Sequence, residues 1–437
     1  MKRVLIITYY WPPSGGAGVQ RWLKFVKYLR NYGWEPVVFT ARNPEAPAMD
    51  YSLLKDVPEG LEVIRQPIWE PYTFYRKFVG LRKDDKISAG FLSENKKPGF
   101  SEKIAVFLRG NLFIPDARKF WIKPSVGFLT KYLREHPVNA LVSTGPPHTT
   151  HLIALGIKKR LGVPWLADFR DPWTKIDFYD NLMLTPLADR RHHRLENAVL
   201  KAADSIVTVS WSWAVDFEGM GAPHTEVITN GFDPEDFPDT NSNKPATFLL
   251  THIGSLNKDR NPEFLWRVLG EMVKTNATFR QLLKIRFIGK TDFRVFESLE
   301  RNGLIGYTEK IDYVPHDEAL KLSAGSAVLL LLINNTPNSS GIIPGKVFEY
   351  LATRRPILCI GPLAGDSAHI VMEAKAGPVV GFDDEAKLHN VLSELFSQYT
   401  NSEQPQNETS IDQYSRKVLT GNIAGLLDQI STSPATK

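Results

Sequence analysis

Short apolar runs alternate with longer amphipathic stretches along most of the chain. An apolar run of about four to eight residues is typical of a buried strand, whereas apolar residues spaced three and four apart are typical of a helix. Strands are predicted at residues 3–8, 35–40, 139–143, 164–168, 205–209, 247–253, 284–289, 309–314, 327–333, 357–360 and 377–380. Helices are predicted between them, among others at residues 126–135, 189–203 and 345–354. This alternation predicts an α/β fold with parallel sheets.

One strand–helix–strand unit stands out at residues 327–362. The loop and the helix start of such a unit lie at the carboxyl edge of the sheet, where an anion is favoured. Lys346 falls in the first helical turn and can neutralise a phosphate. Glu349 lies on the same helix face and can accept two hydrogen bonds from a diol such as a ribose. A simple surface salt bridge between Lys346 and Glu349 is the alternative.

The first predicted strand leads into a loop rich in proline and glycine, which contains Gly15 and Gly16. Glycines at such a turn let the backbone approach a ligand closely, and their N–H groups can face a phosphate. The spacing is not GxGxxG, and no acidic residue ends the second strand. A dehydrogenase that binds a dinucleotide is therefore disfavoured.

Two further loops follow predicted strands in the first half of the chain. TGPPHTTH carries His148 and His151, and we prefer His148 as the residue that faces a reacting group because it is nearer the loop. An ordinary polar residue at a helix start is the alternative for His148. DFRDPW places Asp168, Arg170 and Asp171 at the same edge, either as a structural ion network or as contacts to an acceptor.

In the second half, the loop GSLNKDRNP follows the strand at 247–253. Gly254 permits a close backbone approach at this loop. Lys258 and Arg260 supply cations, and Arg260 is the better phosphate ligand because its guanidinium group binds in a bidentate manner. This loop is a second candidate for anion binding, together with Lys346.

The chain has 437 residues, which is long enough for two α/β domains. We expect a first domain at 1–238, a linker at 238–245, a second domain at 246–410, and a final helix at 411–437 that returns to the first domain. The helix at 189–203 is expected to expose His192 and His193. Cys359 is the single cysteine, so no internal disulfide can form, and a cytoplasmic location without a signal peptide is expected.

Charge is distributed unevenly over the chain. Residues 1–150 contain 23 Lys and Arg against 13 Asp and Glu, a net charge of +10, whereas the whole chain carries +5. Aromatic residues alternate with cations near residues 69–123. This combination suits an anionic membrane surface or a lipid-linked acceptor, and simple packing of an inserted segment is the alternative. No nucleic-acid recognition motif is present, so nucleic acid is not an expected partner.

Several of these segments resemble the retaining glycosyltransferases of family 4, especially those that build bacterial cell-surface polysaccharides. The segments that carry the resemblance are PPSGGAGVQRW, TGPPHTTH, DFRDPW, ADSIVTVS, ITNGFD, HIGSLNKDRNP and GKVFEYLATRRPIL. They span nearly the whole chain in the expected order. The resemblance implies the GT-B fold, in which two facing Rossmann-like domains hold a nucleotide sugar between them.

The resemblance also implies roles for individual residues. It predicts His148, Arg260 and Lys346 as catalytic, with His148 at the transferred sugar and the two cations at the pyrophosphate. It predicts donor contacts from Gly15, Gly16, Gly254, Ser255, Gly341, Ile342, Ile343 and Glu349, in addition to Arg260 and Lys346. The backbone amides around residues 341–343 are expected to line the site of the sugar and the β-phosphate. Asp168, Arg170 and Asp171 are predicted on the acceptor side. The implied partners are a nucleotide-diphosphate sugar and a glycan or isoprenoid-diphosphate-linked acceptor, and peripheral attachment to the inner face of the membrane is expected.

The chain departs from the family pattern at two positions. Ser255 stands where the family commonly has an arginine, and Gly341 stands where it has the first of two glutamates. We interpret both as traits of a subgroup. No D-x-D motif occurs, so we expect neither a metal nor another cofactor. A nucleotide-sugar 2-epimerase with the same architecture and a non-catalytic glycan-binding protein are the alternatives.

Overall fold

The computed structural model of the chain describes residues 1–46, 49–70, 100–223, 225–237, 244–402 and 409–432. The chain folds into two compact units. The first runs to Asn230 and also includes the chain from Arg416 onward, and the second is Gly231–Ser415. Each unit contains one parallel sheet.

The strands are β1 Lys2–Ile7, β2 Trp34–Ala41, β3 Glu62–Gln66, β4 Ala140–Gly145, β5 Trp165–Phe169, β6 Ser205–Thr208, β7 Thr225–Val227, β8 Phe248–Ile253, β9 Leu283–Ile288, β10 Thr308–Ile311, β11 Val328–Leu332, β12 Ile357–Ile360 and β13 Val379–Val380. The described helices are α1 Ala17–Leu29, α2 Phe100–Leu112, α3 Ile122–Glu135, α4 Thr149–Leu161, α5 Pro186–Ala202, α6 Trp211–Gly219, α7 Glu263–Thr275, α8 Ala277–Leu282, α9 Phe293–Arg301, α10 His316–Ala324, α11 Lys346–Ala352, α12 Asp366–Glu373, α13 Glu385–Thr400 and α14 Arg416–Thr432.

The sheet of the first unit has the strand order β3-β2-β1-β4-β5-β6-β7, and all its strand pairs are parallel. The order reverses direction between β1 and β4. A crevice opens at such a reversal, beyond the carboxyl ends of the two strands, and ligands of α/β proteins bind there. The loops that contain Gly15 and His148 follow these two strands, so the topology brings both loops to the reversal point.

The core of the first unit includes the final helix. Trp22, Phe25 and Val26 of α1 are buried because they share one helix face. Ile423 and Leu427 of α14 are buried in the same apolar cluster. The chain therefore returns to the first unit at its end.

The sheet of the second unit has the order β10-β9-β8-β11-β12-β13, again with parallel pairs throughout. Its order reverses between β8 and β11. Strand β11 reads VLLLL and is buried along its whole length, as expected for a central strand covered on both faces. Arg260 lies on the loop after β8, and the segment after β11 leads to Lys346. This reversal is therefore the second place where a ligand is favoured.

The structure agrees with most predicted elements and shifts several of their ends. β12 has the predicted limits, whereas the last helix begins at Arg416 instead of 411. Ile411 and Tyr414 are anchored in the core of the second unit, so the helix that belongs to the first unit starts only after them. For the same reason the units divide at Asn230, before the expected linker, because Phe232 packs in the core of the second unit. Most of that linker, residues 238–243, lies outside the described residues.

The aromatic and basic segment near residues 69–123 is described only in part, since residues 71–99 lie outside the described ranges. Trp121 is buried, and Arg118 is buried with an ion pair to Glu70 at 3.0 Å. Trp69 and Phe120 are exposed. Packing therefore accounts for Trp121 and Arg118, whereas Trp69 and Phe120 lie at the surface. Within the described ranges, no helix combines the length and the apolar character that crossing a bilayer requires.

Candidate functional site

The loop after β8 and the loop after β11 are joined by Arg260. Its Nε donates to Asn334 Oδ1 at 2.8 Å, and its Nη1 donates to the Ser255 carbonyl at 2.9 Å. Arg260 ends a short 3₁₀ helix, Lys258–Arg260, and Asn334 follows β11 directly. The guanidinium group is therefore fixed at the reversal point of the second sheet.

Lys346 lies at the start of α11 and reaches the end of β8. Its Nζ donates to the Ile253 carbonyl at 2.6 Å and lies 3.1 Å from His252 Nε2. It makes no ion pair among the described residues, so the alternative of a salt bridge to Glu349 is wrong. Burial lowers the pKa of Lys346 well below the usual lysine value, and the nearby charge of Arg260 lowers it further. The structure thus brings the two predicted cations together.

His252 was not predicted, and it supports Lys346 from within the sheet. The residue is fully buried in β8, and its Nδ1 lies 3.1 Å from the Leu330 carbonyl. A carbonyl only accepts, so Nδ1 carries the proton and Nε2 is the acceptor for the Lys346 amine. Burial, and then the positive charge of Lys346, lower the pKa of His252 far below its usual value, so the ring is neutral.

Glu349 is held by a second histidine. His316 Nε2 at the start of α10 donates to Glu349 Oε1 at 2.9 Å. The Glu349 side chain remains 29% exposed. One carboxylate oxygen is therefore fixed by the protein, and the exposed carboxylate can still accept hydrogen bonds from a ligand.

Of the remaining predicted donor residues, Gly254 and Ser255 lie beside the two cations. Gly254 has φ +96°, a backbone conformation that would strain any larger residue, and a β-carbon added to it would contact Lys346 Nζ at 3.7 Å. The Ser255 side chain is exposed. Gly341 and Ile342 donate their amides within a turn, at 3.2 Å each, to Asn338 and Ser339. The expectation of amides turned toward a ligand is therefore not met at these two positions.

Ile343 follows that turn, and its side chain is buried in the apolar cluster beside α11. Its backbone N–H has no hydrogen-bond partner among the described residues. Of the three predicted amides in residues 341–343, this one alone is available for a ligand.

In the first unit, the glycine-rich loop is tied to the loop after β4. Gly16 has φ +97° and directly precedes α1, and Gly15 beside it is buried. Arg170 donates to the Gly18 carbonyl at 2.9 Å, to the Gly145 carbonyl at 3.1 Å and to the Pro146 carbonyl. Arg170 therefore clamps the two loops of the reversal point with its own hydrogen bonds.

His148 directly precedes α4, makes no side-chain capping hydrogen bond and is 8% exposed. Its ring stacks on Trp173, with centroids 4.6 Å apart and planes at 3°. Burial and the neighbouring His151 and His192 hold the pKa of His148 well below its usual value. Its Nδ1 has no hydrogen-bond partner among the described residues. His148 is thus a neutral ring with unused hydrogen-bonding capacity.

His151 is fully buried, and its Nδ1 bonds to Ser143 Oγ at 2.8 Å. Burial lowers its pKa to about 3. A β-carbon on Gly145 would lie 2.5 Å from His151 Nε2 and 3.2 Å from His148 Nδ1, so both rings require a glycine at this place. His151 Nε2 also has no hydrogen-bond partner among the described residues, so only the slightly greater exposure of His148 separates the two rings, and the preference for His148 stays a prediction.

Asp168 belongs to a structural ion network. The carboxylate is fully buried and accepts from Arg21 Nη2 at 3.0 Å, from Trp22 Nε1 at 2.6 Å and from Thr144 Oγ1 at 2.8 Å. Burial alone would raise the pKa of Asp168, but the Arg21 charge and these bonds bring it below its usual value. The contacts favour the structural alternative for Asp168 and for Arg170.

Asp171 differs from Asp168, since it has no hydrogen-bond partner among the described residues. It is half-buried, and burial raises its pKa despite the opposing charge of Arg170. Asp171 is therefore the acceptor-side candidate that remains.

The expectation that His192 is exposed is wrong, because His192 is buried and its Nδ1 accepts from Trp173 Nε1 at 3.0 Å.

Sequence reasoning missed the residues that support the site. His252 and His316 come from β8 and α10, and Asp116 caps α4 by accepting from the Thr149 amide at 2.9 Å. The only signal for His252 was its place at the carboxyl end of a predicted strand. Nothing in the local sequence links Asp116 to residue 149.

The comparisons with known proteins agree with this architecture. Residues 15–231 match the family model described as a glycosyl transferase 4-like domain. No protein of curated function matches the chain by sequence. The chain is similar to the structure of Anabaena HepE in complex with UDP-glucose, with a TM-score of 0.64 at 12% identity and coverage of 98% of this chain and 100% of that one.

Two other solved structures share the fold over comparable lengths. Sucrose-phosphate synthase from Thermosynechococcus elongatus has a TM-score of 0.61 at 12% identity and covers 98% of this chain and 99% of its own. A putative UDP-N-acetylglucosamine 2-epimerase from Listeria monocytogenes has a TM-score of 0.54 at 10% identity, with 100% and 98% coverage. Residues 15–231 therefore form a glycosyl transferase 4-like domain, and the chain as a whole, with its two doubly wound parallel sheets, has the GT-B fold.

Proposed function

We propose that the chain transfers a sugar from a nucleotide-diphosphate sugar to a glycan or lipid-linked acceptor. The observation that carries this proposal is the pair of cations Arg260 and Lys346, which lie together beside Gly254 at the carboxyl edge of the second sheet. Burial and the charge of Arg260 disfavour a positive charge on Lys346, and a bound diphosphate favours it through charge-assisted hydrogen bonds. The structures of HepE with UDP and with UDP-glucose are consistent with a donor of this class.

The same cations account for bond breaking. When the bond from the sugar to the diphosphate breaks, negative charge grows on the departing phosphate. Arg260 and Lys346 are held by neighbouring carbonyl and side-chain acceptors, so they stabilise this charge without first having to reorganise. Glu349, fixed through His316, is proposed to accept hydrogen bonds from the ribose hydroxyls.

We propose retention of configuration at the transferred sugar. In this mechanism the acceptor hydroxyl attacks from the side of the leaving group and passes its proton to the departing phosphate, so no protein nucleophile is needed. His148 supplies a hydrogen bond from its neutral ring to a sugar hydroxyl. Proton NMR of the first product formed distinguishes the two anomers, and an inverted product would exclude this mechanism.

Metal independence is part of the proposal. Arg260 and Lys346 already provide the positive charge that a divalent ion supplies in many phosphate sites. Activity is therefore expected to survive dialysis against EDTA. Loss of activity that returns on adding Mg²⁺ or Mn²⁺ would assign this task to a metal.

The acceptor is proposed to meet the basic first half of the chain, at the inner face of the cytoplasmic membrane. Trp69 is 54% and Phe120 is 44% exposed, and Lys119 Nζ lies 5.1 Å from the centre of the Phe120 ring. Such a mixture of aromatic rings and cations suits an anionic lipid surface. Binding to phosphatidylglycerol vesicles that weakens with salt is expected, and equal binding to neutral phosphatidylcholine vesicles would argue against it.

A donor screen tests the proposed function most directly. Uridine, guanosine and adenosine diphosphate sugars are compared by thermal shift, because a ligand that binds only the folded state raises the melting temperature. One nucleotide class is expected to stabilise the wild type and not Lys346→Ala. If none stabilises the wild type, the proposed donor is wrong.

The epimerase alternative retains one supporting observation, which is the structural similarity to the putative 2-epimerase. An epimerase acts on the nucleotide sugar alone. Incubation of the cognate nucleotide sugar without acceptor should leave its sugar configuration unchanged. Appearance of the 2-epimer would replace the transferase proposal.

A further inference from the structure

His252 is buried beside the Lys346 amine and has no direct role in the proposed sugar transfer. Its Nδ1 proton is committed to the Leu330 carbonyl at 3.1 Å, so Nε2 can act only as an acceptor while the ring is neutral. The Lys346 amine lies 3.1 Å from this nitrogen. Its other bond, at 2.6 Å, goes to the Ile253 carbonyl. Two of the three N–H bonds of a protonated Lys346 are thus fixed by β8, which leaves one for a ligand.

Besides His252, the titratable groups around Lys346 come from the loop after β8, from α10 and from α11. Arg260 lies on the loop after β8, and its charge disfavours a second positive charge at Lys346. Glu349 on α11 favours that charge, but its carboxylate is bonded to His316 of α10. Tyr350 accepts from the Ile253 amide at 3.0 Å, and burial raises the pKa of its hydroxyl, so it stays neutral. Arg260 therefore acts more strongly on the Lys346 amine than the opposite charge of Glu349 does.

We propose that His252 is the positioning residue of Lys346, and that the Lys346 amine takes up a proton from solvent when a diphosphate binds to it and to Arg260. The inference rests on the proposed function of this site and extends it by a coupling between donor binding and protonation. No covalent bond changes in this step. One proton moves from the buffer to Nζ, and the charge of the site rises by one as the anion arrives.

The direction of the pH dependence follows from linkage. Burial and Arg260 lower the pKa of Lys346 in the free protein, and a bound diphosphate raises it again because it supplies the missing opposite charge. Affinity for the donor is therefore highest below the free-state pKa. Above it, affinity falls by up to about tenfold per pH unit until the bound-state pKa is reached.

Calorimetric titration measures the proton directly. UDP-glucose, GDP-mannose and ADP-glucose are titrated into the wild-type protein in Tris and in HEPES, which differ in ionisation enthalpy. The esterified diphosphate of these probes does not titrate near neutral pH, so any proton taken up belongs to the protein. We expect uptake of about half to one proton per site for the probe that binds. Binding with no proton uptake overturns the inference and leaves the proposed function intact.

Three substitutions, one at Lys346 and two at His252, sharpen the result. Lys346→Arg keeps a permanent charge, so its binding should be independent of buffer and nearly flat with pH. His252→Leu removes the acceptor, and about tenfold weaker binding is expected, with the fall in affinity moved to lower pH. His252→Gln offers an oxygen acceptor and should restore much of the affinity.

Several outcomes would contradict the inference. Wild-type affinity and an unchanged pH profile in His252→Leu would remove His252 as a positioning residue. Proton uptake in Lys346→Arg equal to that of the wild type would assign the proton to another group. If none of the three probes binds the wild type, both the donor site and the coupling are wrong, and this differs visibly from binding without uptake.

Discussion

Asp168 and Lys346 are both charged groups at the carboxyl edge of a parallel sheet, but they are stabilised in different ways. Asp168 is 0% and its partner Arg21 is 1% exposed, and the carboxylate receives hydrogen bonds from three residues. Lys346 has a second cation nearby and makes no ion pair within the described part of the chain. A buried charge with a full set of partners is a structural element, whereas a charge that lacks an opposite charge is poised for a ligand.

The largest effect is expected on stability, when Asp168 is substituted. Asp168→Asn leaves the Arg21 guanidinium buried without its counter-charge, so the free energy of unfolding should fall by about 3–5 kcal/mol. Urea unfolding measures the change. The matched control is Asp216→Asn, which removes an exposed ion pair with Lys175 and should cost no more than about 1 kcal/mol. Wild-type stability of Asp168→Asn with a raised acceptor KM would instead make Asp168 an acceptor contact.

The next largest effect is expected on turnover, when Lys346 is substituted. Lys346→Ala removes one of two cations at the leaving group, and kcat at saturating donor should fall by about 100- to 1,000-fold. The amine contributes no ion pair, so the loss of its two hydrogen bonds should lower the free energy of unfolding by only about 1–3 kcal/mol. Lys274→Ala, an exposed lysine in the last turn of α7, is the control and should keep wild-type turnover. Equal kcat in Lys346→Ala and wild type would remove Lys346 from the mechanism.

A smaller effect is expected at Glu349, which we place at the ribose. Glu349→Gln weakens hydrogen bonds that are equally present in the ground state and the transition state, so donor KM should rise about tenfold while kcat stays nearly constant. Initial rates over a range of donor concentrations separate the two constants. Glu300→Gln on the exposed face of α9 serves as the control. A fall in kcat without a change in KM would point to a role in the chemical step.

The smallest effect is a slope of stability with pH in the first unit. His151 is neutral in the folded protein because burial lowers its pKa to about 3, whereas an unfolded histidine titrates near about 6.5. The unfolded state therefore binds more protons between these values, and stability falls as the pH falls, by up to about 1.4 kcal/mol per pH unit for this group. Unfolding at several pH values measures the slope. His151→Phe should be less stable at neutral pH but show a shallower decline, and an unchanged slope would assign the titration elsewhere.

The sequence predicted the parts of the fold that depend on local pattern. The limits of β12 and the buried run of β11 follow from apolar residues alone, because a central parallel strand is covered on both faces. Arg260 and Lys346 were also predictable, since loops after parallel strands collect at one edge. The contact between His252 and Lys346 was not predictable, because the two residues are separated by 94 positions and meet only through the packing of α11 on the sheet.

The difference between local pattern and tertiary contact also explains where the predictions for individual residues were wrong or left open. DFRDPW places three charged residues at one edge, but their local spacing cannot tell which of them finds buried partners. Arg21, which neutralises Asp168, lies 147 positions away on α1. His192 was expected at the surface because its helix is rich in polar residues, yet it is buried against Trp173. Tertiary contacts decided each of these roles.

Asp116 gives the irregular part of the first unit an unexpected importance. It accepts from the amide and from the hydroxyl of Thr149, at 2.9 and 2.8 Å, and so anchors the first turn beside His148 from outside that helix. The segment that interrupts the regular α/β order thus anchors the helix start beside His148, the residue that we propose to face the sugar. Engineers who shorten the protein by excising this stretch should therefore expect to disturb a residue more than thirty positions further along the chain.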